Sequence, residues 1–351
     1  MKKIWTLFTA ASLLLLHSVC LNGQETLGDK IKDISITNER TLLRIASPHP
    51  WHYVARFDAG YRADRIERVA SAPTTLPSYG LTPAASSPFQ TIRMKFPRNG
   101  VALFSTAIVA VYEDGFTIGG DGDFGWITTA RDSQDTTTGF STTNPSATTL
   151  DFRNPLTGWV GDINLYVGYE LHLAKDLLFT PEVGYAYNHQ TVYVHHDTNA
   201  SNYTTTARYQ GSWSGPWMGF SAHLPFRDNF FAEAKYRYRW GGVYWDRIVR
   251  DGRENSFTAS YPTYHVEESV TSGSPKGHLI QLSTGYKFFQ NWWVALTLKY
   301  HNWKAESGTI NNRGFFQNSS STTYTWLDNP QSLEEVKWSS LAATLGFRSD
   351  F

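Results

Sequence analysis

The chain is poor in cysteine, in charge and in long apolar runs. Among 351 residues there is one cysteine, Cys20, and only 18% are charged. No stretch beyond the first residues approaches the roughly 20 apolar residues a membrane-spanning helix needs, which excludes a helical membrane protein. Lys+Arg and Asp+Glu both number 31, so no net field points to nucleic acid or to acidic ligands. Phosphate loop, nucleophile elbow and zinc motif are all missing from the sequence. No cofactor and no nucleic-acid partner are therefore expected.

The one apolar run, Ile4–Leu16, follows Lys2 and Lys3 and leads into small or polar residues up to Gly23. It is too short and wrongly flanked for a stable span and has the layout of a secretory signal peptide over 1–23. Val19 precedes Cys20 where lipid attachment would want a small residue, so the cysteine is expected to leave with the signal. An exported chain then has to hold together without disulfides. Residues 24–49 are expected to form an N-terminal periplasmic segment, ahead of one domain over 50–351.

Aromatics are abundant instead, at 15%, with 13 Trp, 19 Tyr and 21 Phe. They follow a period of two. Tyr53, Ala55, Phe57, Ala59, Tyr61 and Ala63 alternate with Arg56, Asp58, Arg62 and Asp64. Ala232, Ala234, Tyr236, Tyr238 and Trp240 alternate with Glu233, Lys235, Arg237 and Arg239 in the same way. Ile163–Leu171, Val183–Tyr187, Met218–Leu224, Ile280–Phe288 and Val294–Tyr300 repeat the split. Ten strands are expected, at about 50–68, 88–112, 114–131, 157–172, 177–197, 204–225, 229–248, 262–289, 291–306 and 336–351. Most are longer than the usual ~5–6 residues of soluble strands and long enough to cross a bilayer at a tilt.

The connections alternate in length. Glu113-Asp114, His172–Asp176, Pro225–Asn229 and Phe289–Asn291 are tight, whereas 69–87, 128–157, 196–205, 248–275 and 304–337 are long and polar. Short turns on one rim and long loops on the other mark an outer-membrane barrel. The fold class expected is thus all-β, a ten-stranded antiparallel transmembrane β-barrel, met by lipid outside and lined by charge within. Trp51, Trp126, Trp159, Trp217, Trp240, Trp245, Trp292, Trp293 and Trp303 are read as interfacial girdles. Phe351 closes an alternating last strand, which resembles the signal read by barrel assembly machinery. Outer-membrane lipid or lipopolysaccharide is the expected surrounding, and a monomer the expected state.

Several motifs carry a family resemblance. Thr117-Ile118-Gly119-Gly120 with Gly125-Trp126, Gly215-Pro216-Trp217-Met218-Gly219, and Lys235-Tyr236 leading to Gly241 resemble the omptins, ten-stranded outer-membrane proteases. The same pattern is similar to the Protochlamydia-type outer membrane protein family, for which porin activity is proposed. The omptin resemblance implies an Asp-x-Asp pair on strand three and an Asp-x-His dyad on strand seven. The dyad's Asp falls on Asp246, but its His falls on Ile248, and no His lies between His223 and His265. Isoleucine neither accepts a proton nor holds a water. For the carboxylate pair, Asp132-Ser133-Gln134 keeps one acid at the rim, whereas Asp121-Gly122-Asp123 has the spacing but sits deeper, where it suits partners for the arginines of neighbouring strands.

The inward charges Arg56, Asp58, Arg62, Asp64, Glu233, Lys235, Arg237 and Arg239, with Lys287 and Lys299, have mixed signs. They are expected to pair with one another and to plug or restrict a narrow bore. His195-His196 point to opposite faces of a strand and chelate one ion poorly, so no metal is expected. The expected function is a structural or porin-like surface role in the outer membrane. The alternative is an endopeptidase with a rearranged Asp/His site, its His drawn from another loop such as His265. No His/Ser constellation specific for a lipid-modifying enzyme is recognisable along the chain.

Overall fold

The computed structural model describes residues 50–73, 89–131, 133–139, 146–152, 157–174, 176–198, 203–226, 229–254, 263–317 and 324–351. The expected signal peptide, the 24–49 segment and Asp132 lie outside the described residues. The described chain is one antiparallel sheet closed into ten staves. They are β1 (Trp51–Pro73); β2 (Phe89–Tyr112); β3 (Phe116–Arg131) continued by β4 (Ser133–Gly139); and β5 (Ser146–Phe152) with β6 (Thr157–Tyr169) and the short β7 (Leu171–His172). Next come β8 (Leu178–Thr198), β9 (Tyr203–Phe226), β10 (Phe230–Arg239) with β11 (Val243–Glu254), and β12 (Thr263–Gly273) with β13 (Lys276–Phe289). The last two are β14 (Trp292–Gln317) and β15 (Tyr324–Asp350).

Closure is made by β15 against β1, from Val54↔Asp350 to Ser71↔Ser332. Phe351 extends the seam, exchanging hydrogen bonds with Tyr53 at 2.9 and 2.8 Å. Every stave therefore has two neighbours, which is the condition for satisfying backbone polar groups in lipid.

The period of two sorts side chains as expected. Leu341, Leu345, Leu165, Phe104, Val183 and Leu282 are exposed on the outside. Arg62, Asp64, Arg237, Arg239, Asp162 and Lys299 are buried inside. So wide an exposed apolar belt marks a surface meant for lipid. Above it on the outside stand Lys304, Glu306, Glu335 and Lys337, ion-paired across β14 and β15. Hydrogen bonds to Glu306 and Glu335 hold the Lys304 ammonium above its ordinary value.

The staves outlast the membrane. At ~3.3 Å per residue and a tilt near 40°, β14 rises about 65 Å, against an apolar band of about 25 Å. The expected loops 128–157, 248–275 and 304–337 are accordingly mostly strand. β14 and β15 stay in register out to Gln317↔Tyr324, and β4 and β5 form a hairpin that also pairs with β2. Polar Ser, Thr and Asn runs read as loop because a strand above the membrane needs no apolar face, only its ladder.

Staves seven and eight are each interrupted at one height. Gly241 and Gly242 have φ of 66° and 84°, and Ser274 has φ of 73°. The amide of Ser274 donates to the carbonyl of Gly242, which stitches the two breaks together. A Cβ on Gly242 would press into the Ser214 carbonyl, besides adopting a left-handed backbone. Gly242→Val is expected to lower stability by about 1–3 kcal/mol, read as an earlier urea midpoint; an unchanged midpoint would mean the break is not strained.

Candidate functional site

The bore is stacked in three layers, and parity on the staves decides which residues enter each. At mid-height an ionic layer crosses from wall to wall. Arg62 on β1 donates to Asp64 at 2.6 Å and also to Asp162 on β6. Asp162 accepts from Asn188 on β8 at 2.6 Å, and Asn188 accepts from Arg239 on β10 at 3.0 Å. Arg239 donates onward to Asn164 at 2.9 Å, and Asn164 to Asp121 at 2.7 Å. Asp121 also accepts from Arg237 at 2.7 Å, while Arg237 reaches Glu182 at 3.4 Å. Lys299 on β14 closes onto Asp123 at 2.7 Å.

The guanidinium groups also lie over aromatic rings. Arg237 lies 4.2 Å over Trp217 and 4.9 Å over Tyr166. Arg239 lies 4.7 Å over Trp303, and Arg62 4.9 Å over Trp338. Cation–π contact is strongest where water is excluded, as it is here.

Toward the long-loop rim the bore is apolar. Ile66, Phe96, Val101, Trp213, Val270, Ile310 and Leu333 are buried together with Trp303 and Trp338. Trp213 meets Tyr244 at 4.2 Å and Trp303 at 5.6 Å between ring centres. One polar strand runs through this layer. Tyr209 and Tyr244 share a hydrogen bond of 3.0 Å, Tyr244 donates to Asp246 at 2.6 Å, and Arg68 stands 3.6 Å from the same carboxylate.

Toward the tight-turn rim there is a small vestibule of about 70 Å³, lined by Arg56, Glu182, His223, Glu233, Lys235 and Arg348 among others. Glu233 gathers Lys235 at 3.2 Å and Arg348 at 3.4 Å, and Arg56 pairs with Asp58 at 3.0 Å.

The family model described as Protochlamydia outer membrane protein matches residues 56–351, nearly the whole barrel. The chain belongs to this family. Its place is accordingly the outer membrane. Outer membrane protease OmpT from Escherichia coli is similar in structure, with a TM-score of 0.56 at 10% identity, covering 86% of this chain and 97% of that one. At that identity the likeness shows the fold alone. A match to a Pseudomonas aeruginosa FadL homologue covers 85% of this chain and 90% of that one at 9% identity, with a TM-score of 0.30. No match is found among curated proteins.

In this Protochlamydia-family barrel the protease candidates do not converge. Asp121 and Asp123 belong to the ionic layer. Their partners, Arg237 and Lys299, stand across the bore rather than on neighbouring strands, and one is a lysine. Asp246 is fully buried in the apolar layer rather than open at a rim. Ile248 pairs with Tyr209 and Glu268, and His265 sits opposite Asp251, five positions farther along β11 than Asp246. No group of three potential metal ligands occurs among the described residues; His195 and His196 continue β8 opposite Thr206 and Thr205.

The girdle reading needs correction at three positions. Trp217 and Trp303 are fully buried in the bore, and Trp293 is buried against Phe231 at 5.3 Å. Trp126 and Trp245 do face outward and are exposed. Parity is the physical reason: Trp217 shares a face with Ser221 and His223, and Trp303 with Lys299 and His301. Asp162, Asn164, Glu182, Asn188 and Arg348 join the network beyond the residues expected for it, although their parity marks them equally as inward.

Proposed function

We propose that this family member is a sealed outer-membrane barrel with a structural surface role and no peptidase activity. The observation that carries the reading is the unbroken chain of hydrogen bonds from Arg62 through Asp162, Asn188, Arg239, Asn164 and Asp121 to Arg237. An apolar layer on one side of it removes the continuous water column that a porin uses. Export by the 1–23 signal, insertion by assembly machinery engaging Phe351, and a monomer solvated by outer-membrane lipid belong to the same reading.

Planar-bilayer recording tests it. Refolded protein should insert without discrete conductance steps; reproducible steps at neutral pH would return the porin-like role. Incubation of the wild type or of Asp246→Ala with peptides carrying paired basic residues should leave the peptides intact. Cleavage that disappears in Asp246→Ala would instead support the endopeptidase.

A further inference from the structure

The outer surface carries a cluster unrelated to the bore. His189 on β8 and Ser212 on β9 are register partners and both project outward, on the side of Tyr187 and Tyr193. The imidazole Nδ1 lies 2.7 Å from the Ser212 hydroxyl, and Nε2 lies 3.1 Å from the Thr191 hydroxyl. In the Nε2–H tautomer Ser212 donates to the ring and the ring donates to Thr191, so both nitrogens are engaged in one direction. Trp159 covers the ring at 4.7 Å, leaving His189 5% exposed, while Ser212 is only half-buried.

The surroundings fit a lipid ester. Tyr187 and Trp245, the latter paired in register with Ser212, are exposed on the same face. Toward the loop rim this face turns polar through Gln210 and exposed Arg208; toward the turns it becomes Val183, Met218 and Phe220. The pair thus sits where acyl chains meet headgroups. A face that only contacts lipid has no use for a hydroxyl held on a neutral imidazole, whereas a hydroxyl nucleophile requires that contact together with a third group that orients the base.

We propose that Ser212 and His189 are the nucleophile and base of a centre that hydrolyses acyl esters of outer-leaflet lipids, with Thr191 as a positioning residue. The Ser212 oxygen attacks the ester carbonyl carbon as its proton passes to His189 Nδ1. The carbon–oxygen bond to the lipid alcohol breaks, and that oxygen takes the proton from Nδ1. Water then attacks the acyl-serine, giving one proton to Nδ1; the Ser212 oxygen leaves and recovers it as the fatty acid departs. Arg208, toward the rim, suits an anionic headgroup.

The test uses the refolded full chain in vesicles of phosphatidylethanolamine and phosphatidylglycerol, with or without lipopolysaccharide, and a long-chain alkyl fluorophosphonate as covalent probe. Fatty acid should be released and the probe should label Ser212. Ser212→Ala and His189→Gln should each lower release by about 100-fold or more while heat-modifiable gel mobility stays native. Thr191→Val should lower kcat with KM unchanged and move the pH profile. Release from plain phospholipid vesicles identifies phospholipid as substrate, and release only with lipopolysaccharide identifies that lipid. A wild-type chain that neither labels nor releases fatty acid in either vesicle overturns the proposal, as does release that persists in Ser212→Ala.

Discussion

Arg237→Ala should destabilise the barrel by about 3–5 kcal/mol, the usual consequence of removing one partner from a buried ionic group. Arg237 is 1% exposed and answers two carboxylates, Asp121 and Glu182, while its plane rests on Trp217 and Tyr166. Alanine leaves both acids in a water-poor bore without their cation and strips two aromatic faces of their cover. Urea unfolding followed by tryptophan fluorescence or by heat-modifiable mobility reads the loss. Arg65→Ala is the matched control. Arg65 pairs with Glu67 at 3.5 Å on the exposed outer wall, where an ion pair contributes at most ~1 kcal/mol. Equal effects from the two substitutions would mean that water fills the bore and screens its charges.

Trp303→Ala should cost a similar amount, about 3–5 kcal/mol, because it empties a fully buried volume in a packed layer. The indole lies between Arg239, at 4.7 Å, and Trp213, at 5.6 Å, so its loss loosens the ionic and the apolar layers together. Trp303→Phe should recover most of the stability. Trp126→Ala, at a position exposed to lipid, should cost much less. If Trp126→Ala proved as costly as Trp303→Ala, both indoles would be girdle residues and the inward assignment of Trp303 would be wrong.

These two substitutions also mark how much is readable from the amino-acid sequence. Alternation along Tyr53–Asp64 and Ala232–Trp240 is enough to separate a lipid face from a lumen face, because a closed barrel leaves a side chain only those two directions. Tight turns at Glu113-Asp114 and Phe289–Asn291 order the staves, since a hairpin can only join neighbours. Residue type misassigns Trp217 and Trp303 although their parity is available; a tryptophan near a strand end is commonly interfacial, but here it stacks on an arginine. Partners across the bore are not legible. Asp121 and Arg237 lie on staves four apart in the ring, and their meeting depends on stagger and bore width, which no local pattern encodes. His189 and Ser212 meet through the register of β8 and β9, so neither carries a motif around it. The polar ends of β14 and β15 escape notice because hydropathy does not distinguish a loop from a strand standing in water.

Adjacent positions on one stave give the most direct test of the closed barrel with its greasy exterior and packed bore. Thr297 is fully buried, hydrogen-bonded to Ser283 at 3.0 Å, while Leu298 is exposed on the outside. In a chain cleared of Cys20, Thr297→Cys and Leu298→Cys can be compared in vesicles containing brominated lipids. A bimane attached to the Leu298→Cys variant should be strongly quenched by the bromines. The thiol of the Thr297→Cys variant should ignore aqueous maleimide from either side until the protein is unfolded. Rapid maleimide labelling of Thr297→Cys, with no bromine quenching in Leu298→Cys, would contradict the whole arrangement.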